Sequence, residues 1–365
     1  LALCSSIIGF ADVAFILYEF PISLYAIYKK HKGEIRMGNC VFDKARKWIC
    51  LNARPLDRER FRFLFENGRR EAVLSALAEY QNEDGGFGHA LEADSFNPNS
   101  APIQTWTATE ILHEIALEED HPIVRGILAY LDSGSHFNGK CWLYTVPSNN
   151  DYPRASWWTY DSRTHDDINY NPTAALAGFA LMFADKDSGL FKKCFGIAKE
   201  AIRCLKETDK CDEMHTLACY VKLAECCRRA ESAGHGQGAE SAGHSSKAGL
   251  ADELDIAELE QILVERIKKV MTWDTESWKT KYVCKPSNFF MSRDSYLYKS
   301  FAELAEQECS FIKEAQQPDG TWSVNWNWED YEEQWHIAKT WWKAQIIIMN
   351  LRFLKGMTGA LYGGK

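Results

Sequence analysis

Two pairs of neighbouring carboxylates stand where acid and base chemistry could be done. Glu92 and Asp94 fall in Gly88-His89-Ala90-Leu91-Glu92-Ala93-Asp94, and Asp166 and Asp167 fall in His165-Asp166-Asp167-Ile168-Asn169-Tyr170-Asn171-Pro172-Thr173-Ala174. Two acids whose surroundings push their pKa values apart can divide the roles of proton donor and anion between them. A third grouping sets Glu329 and Glu332 among Trp322, Trp326, Trp328 and Trp335. Ring faces beside acids stabilise a developing cation or stack against a sugar. The candidate catalytic residues are therefore Asp166, Asp167, Glu92 and Asp94. The candidate ligand-binding residues are Phe87, His89, Trp106, Trp142, Trp157, Trp158, Asn169, Tyr170, Asn171, Trp322, Trp326, Trp328 and Trp335. The plain alternative makes the aromatics core packing and Asp166 and Asp167 solvated caps ahead of a helix.

Helices must position these groups. Val41 to Leu51, Arg58 to Phe65 and Arg70 to Tyr80 carry apolar residues at helical spacing, and they lead into the turn Gln81-Asn82-Glu83-Asp84-Gly85-Gly86-Phe87-Gly88. Helical runs follow from about Ile103 to Leu117 and from Pro122 to Leu131. Asp132 to Asn171 then shows no clear period and carries Trp142, Trp157 and Trp158, the composition of a binding loop. Thr173 to Phe183 is apolar on every side, as an inner helix is. Gly189 to Leu205, Asp212 to Arg229 and Ala251 to Met271 read as further helices, separated by a Gly-, Ser- and Ala-rich insert over 230–250. Helices over Asp294 to Gln307 and Cys309 to Gln316 precede a second turn, Gln317-Pro318-Asp319-Gly320-Thr321-Trp322, and a last helix reaches Leu354.

The two turns share a Gln, an Asp-Gly corner and an aromatic, and Asn138-Gly139-Lys140-Cys141-Trp142 is a degraded third copy. This pattern resembles the repeats of the terpenoid-cyclase and protein-prenyltransferase superfamily over roughly residues 40 to 355. The resemblance implies an all-α fold, an α/α toroid whose last helix closes against the first. It also implies an aromatic-lined central cavity that takes an isoprenoid or another apolar small molecule. Asn169-Tyr170-Asn171-Pro172-Thr173-Ala174 keeps the Thr-Ala of the cyclases' Asp-x-Asp-Asp-Thr-Ala motif and loses its acids, so that reading places the proton on Asp166 or Asp167. Asp209-Lys210-Cys211 matches the prenyltransferase zinc pair by letters alone, and no zinc is assigned there. Glycoside hydrolases and lyases use the same architecture, with Glu92 and Asp94 or Glu329 and Glu332 as acid and base. A toroid that only binds a lipid, a glycan or a protein is the third possibility.

Composition narrows the partners. A net charge of −9 with no basic stripe argues against nucleic acid, and 13 Trp, 15 Tyr and 19 Phe are a large supply of ring faces. The 12 cysteines show no paired C-x-x-C spacing. Cys211, His215 and Cys219 share a helical face, yet small core residues explain them without a metal. Neither a metal nor a cofactor is expected. The segment 1–36 is a domain of its own kind: residues 1–28 are largely apolar and precede Lys29-Lys30-His31-Lys32, a pattern that suits membrane contact or a non-native extension. Residues 37–365 form the toroid domain in this reading, with a cytoplasmic location unless the first 28 residues are an anchor.

Overall fold

The computed structural model describes residues 41–117, 120–234 and 249–359. The apolar segment 1–36 and most of the insert, residues 235–248, lie outside them. The described chain is all-α, with isolated β-bridges in place of strands. Its helices are α1 (Val41–Asn52), α2 (Pro55–Phe65), α3 (Arg70–Ala78), α4 (Pro102–Glu114), α5 (Pro122–Asp132), α6 (Thr173–Phe183), α7 (Gly189–Glu207), α8 (Met214–Gly234), α9 (Leu250–Glu253), α10 (Ile256–Val270), α11 (Tyr298–Glu314) and α12 (Glu332–Thr358). Among these residues no helix is long and apolar enough to cross a membrane.

Amphipathic helices pack around an apolar one. Helix α6, Thr-Ala-Ala-Leu-Ala-Gly-Phe-Ala-Leu-Met-Phe, is buried over Thr173 to Leu181 and packs against α4, α5, α7 and α8. Its small residues permit close approach: a Cβ on Gly178 would stand 2.9 Å from the Leu223 Cα of α8. Helix α8 in turn packs on α10, and α12 packs on α11 and on both α1 and α2. The C-terminal helix thus meets the first two.

The two Asp-Gly corners are built alike. In the first, the Gln81 amide donates to Gly85 O (2.9 Å) and to Ile123 O (3.1 Å) near the start of α5. In the second, the Gln316 amide donates to Gly320 O (3.1 Å) and to Val41 O (2.7 Å) at the start of α1. Gln316, and not Gln317, is therefore the counterpart of Gln81; Gln317 instead accepts from the Thr321 hydroxyl at 2.8 Å. The Asp84 and Asp319 carboxylates each accept the N–H two residues on, at 2.9 and 3.0 Å. Gly85 (φ 86°) and Gly320 (φ 96°) hold a left-handed conformation. Each also presses on the next helix, where a Cβ would come within 2.1 Å of Gly126 O in α5 or 2.4 Å of Lys44 O in α1. The third copy keeps the glycine (Gly139, φ 93°) and closes through Asn138, whose side chain accepts the Lys140 and Cys141 N–H groups.

Three sequence expectations shift. The run expected as one helix over Ala251 to Met271 is split into α9 and α10 at the left-handed Asp255 (φ 50°). The expected pair of helices over 294–307 and 309–316 is the single helix α11, with one non-helical residue at Phe301. Helix α8 runs through Gly234, five residues into the expected insert, and the described chain resumes at Gly249.

Candidate functional site

A cavity of about 1690 Å³ is walled by α4, α8 and α12 and by the loops that join helices. Helix α4 supplies Ile103, Trp106, Thr107, Glu110, His113 and Glu114, one face read at helical spacing, and α8 supplies Met214, His215, Ala218, Val221, Lys222 and Glu225 in the same way. The volume exceeds the several hundred to about 1,000 Å³ usual for a single small-molecule pocket.

Glu92 and Asp94 stand in the wall at its aromatic end, 8% and 3% exposed. Backbone bonds aim them. The loop turns through His89 and Ala90, both left-handed (φ 58° and 59°), and is pinned there by Arg54 Nη1 donating to Ala90 O (2.9 Å) and by a bond between His89 Nε2 and Asn82 Oδ1 (2.9 Å). The Gln104 side chain of α4 accepts the Glu92 N–H (3.1 Å) and donates to Ser95 O and Asn97 O. Asn97 reaches Asn149 (2.8 Å), Asn149 donates to Trp158 O, and Ala155 N–H donates to Asp94 O (2.9 Å). The irregular stretch after α5 is thereby laced to the acid loop.

Indoles surround the acids. Trp328 Nε1 donates to Asp94 Oδ1 at 2.8 Å, and Trp158, Trp328 and Trp335 form a buried cluster with Trp106, Tyr144, Trp326 and Trp342 against it. Burial raises the Asp94 carboxyl to about 6, against the N–H of Trp328, which favours its anion. Burial also pushes Glu92 well above its ordinary range, and the charge on Asp94 adds to the shift; the Asp94 N–H, Arg54 and the Trp158 indole oppose it. Of the two acids Asp94 is the one that accepts an indole hydrogen bond, which favours the anion on Asp94 and the proton on Glu92.

Further along α4 and α8 the cavity lining carries charged groups. Lys222 lies 2.9 Å from Glu225 and 3.6 Å from Glu110. Burial works against its charged amine, but Glu110 and Glu225 outweigh it and hold its pKa above the usual range. Burial lowers His113, as do Lys222 and Arg229, so its ring is neutral, and Nδ1 accepts from Arg229 at 3.2 Å. Glu114 is clasped by both Arg60 nitrogens (2.8 and 2.9 Å) and by Arg352 (2.9 Å), and these charges lower its pKa although burial alone would raise it. This network is absent from the candidates read off the sequence. Its signal was present as charged residues on the inward faces of α4 and α8, a pattern that reads as a solvated face until the packing is known.

The structure brings some of the candidates together. Glu92, Asp94, Trp106, Trp157, Trp158, Asn171, Trp322 and Trp326 line the cavity. Trp328 and Trp335 stand behind them in the aromatic cluster. Phe87 and Trp142 are buried corner aromatics, and Tyr170 is buried against Tyr220 (ring centroids 5.8 Å). His89 holds the loop, and Asn169 accepts the Asn171 N–H (2.9 Å). Asp166 and Asp167 are exposed on a loop apart from the cavity lining; Asp166, with its side chain 95% exposed, pairs with His165. Glu329 and Glu332 are exposed as well. Among the described residues no His, Cys, Asp and Glu group is set to hold a metal. Cys219 contacts Asn171, and His215 bonds the Tyr282 hydroxyl (3.2 Å). No family model matches the sequence, and no curated protein or solved structure matches the chain.

Proposed function

We propose that the chain is an α/α toroid that binds an extended oligosaccharide in its central cavity, with Glu92 as proton donor and Asp94 as the anion beside it. Support for the ring comes from the second corner and α12, both of which dock on α1. The observation that carries the chemistry is the Glu92 and Asp94 pair: both acids raised by burial, Asp94 alone accepting the Trp328 indole, both in the wall of a cavity large enough for several sugar units. Ring faces alternate there with charged groups, which suits a ligand that both stacks and hydrogen-bonds. Trp157 (39% exposed) and Tyr282 (51%) offer open faces in the same wall. Glu92 passes its proton to the glycosidic oxygen, the carbon–oxygen bond breaks, and Asp94 stabilises the positive charge until water adds.

The isoprenoid reading is the second, and the paired Gln and Asp-Gly corners favour it. In that case Glu92 takes the role first given to Asp166 or Asp167 and protonates an alkene or epoxide, with the ring faces stabilising the cation. Lys222, Glu110 and Glu225 count against it, since an apolar chain would strip water from them without replacing their partners.

A tryptophan-fluorescence titration separates the readings. Hexasaccharides of β-glucan, xylan and chitin are expected to quench or shift the emission, and farnesol or squalene in detergent is not. The reverse result overturns the oligosaccharide reading. Binding without turnover, unchanged in Glu92→Gln, supports a toroid that only binds.

A further inference from the structure

Cys204 lies in the last turn of α7 and Cys211 in the loop, residues 208–213, that joins α7 to α8, and their sulfurs are 3.7 Å apart. Neither belongs to the cavity wall. The loop between them is held from outside. Arg266 of α10 donates through Nη1 to both Asp212 oxygens (3.0 and 2.9 Å) and through Nη2 to Leu205 O (2.7 Å). One guanidinium thus grips the residue after each cysteine. The Tyr220 hydroxyl donates to Ala201 O (2.9 Å) and stands 3.6 Å from Cys211 Sγ, while the Cys204 sulfur contacts Thr208 Oγ1 at 3.9 Å. A disulfide requires this 3.7 Å gap to close to about 2.0 Å.

We propose that Cys204 and Cys211 are a built thiol pair that closes to a reversible disulfide and staples the root of α8. The oxidant is a small-molecule disulfide such as oxidised glutathione. Cys204, the more accessible of the two, attacks one glutathione sulfur as thiolate and releases one glutathione. The Cys211 thiolate then attacks the Cys204 sulfur of that mixed disulfide and releases the second. Two protons leave the protein thiols and end on two glutathione thiols. Burial raises the Cys211 thiol to about 11, so its attack quickens as pH rises. The staple sits next to working residues: Glu213 accepts the His215 and Thr216 N–H groups at the first turn of α8, and Met214 and His215 face the cavity.

The test is a non-reduced tryptic digest of the folded full chain after incubation with excess oxidised glutathione. Cleavage after Arg203, Lys206, Lys210 and Lys222 separates the cysteines, so the disulfide appears as the peptide 204–206 joined to 211–222. Because Cys219 lies in the second peptide, Cys219→Ser must keep the link and Cys211→Ser must lose it. The rate of linkage is expected to rise between pH 7 and 9. A glutathione adduct at Cys204 that never resolves in the folded protein, or a link that forms only in denaturant, overturns the proposal. This test is independent of what the cavity binds.

Discussion

Asp94 is raised in pKa although the Trp328 indole donates to it, because taking a carboxylate out of water costs more than that donor returns. The sign of the linkage follows. A folded pKa near 6 against 3.8 means that the folded state holds its proton longer than the unfolded chain does. That stabilisation is complete below about pH 4 and is lost as pH rises through about 6, a loss of about 3 kcal/mol at roughly 1.4 kcal/mol per pKa unit. Glu92 is shifted in the same direction. Asp94→Asn keeps an acceptor for Trp328 and removes the charge. It is expected to be more stable than the parent at pH 7, with a smaller fall in unfolding free energy between pH 4 and 7, measured by urea titration at each pH. Equal slopes for the two proteins would show that Asp94 is not desolvated as described. Glu92→Gln leaves ligand binding and removes the proton donor. Its turnover on a bound hexasaccharide is expected to drop about 10²- to 10⁴-fold. Glu92 and Asp94 could be named from the sequence because they sit on a short loop ahead of a helix. Trp328 could be named as well, but its bond to Asp94 could not, since the two are 234 residues apart.

At the scale of elements, the corners show what spacing alone conveys. The apolar period marked nearly every helix, and α6 stood out because it is apolar on all sides. The Asp-Gly corners were legible too, because a left-handed glycine after Asp is a local requirement. The Gln register was not. Two glutamines stand side by side at Gln316 and Gln317, and only the carbonyls at Gly320 and Val41 show that the first does the bracing. Asp166 and Asp167 looked like an acid site by analogy with a helix-head motif, yet the loop before α6 carries them into solvent. The corners permit a paired experiment. Gln81→Ala and Gln316→Ala each leave two carbonyls short of a donor, a cost of about 1–3 kcal/mol. The loss should be local: faster amide exchange in α5 for the first variant and in α1 for the second. Exchange that rises equally in both helices for either variant would mean that the corners do not act as separate joints.

Across the whole molecule, one chain of charges ties the acid loop to both ends of the described chain. Arg54 holds Ala90 O and pairs with Asp57 (2.8 Å), Asp57 pairs with Arg60 (3.0 Å), Arg60 with Glu114, and Glu114 with Arg352 of α12. The signs alternate, and the links pass from α2 to α4 to α12. Asp57 is fully buried and spends one oxygen on each arginine. Replacing it with Asn keeps the shape and withdraws the negative charge from between two buried cations, which costs about 3–5 kcal/mol when a buried pair loses one partner. The damage should not stay in α2. With Arg60 and Arg54 both repelled, Glu114 loses its geometry, Ala90 loses its anchor, and Glu92 and Asp94 shift with the loop. Asp57→Asn is therefore expected to speed amide exchange in α2, α4 and α12 together, and to weaken oligosaccharide binding although Asp57 touches no part of the cavity. If exchange changes in α2 alone and binding is untouched, the ion pairs are separate local bonds and α2, α4 and α12 are held together by apolar packing instead.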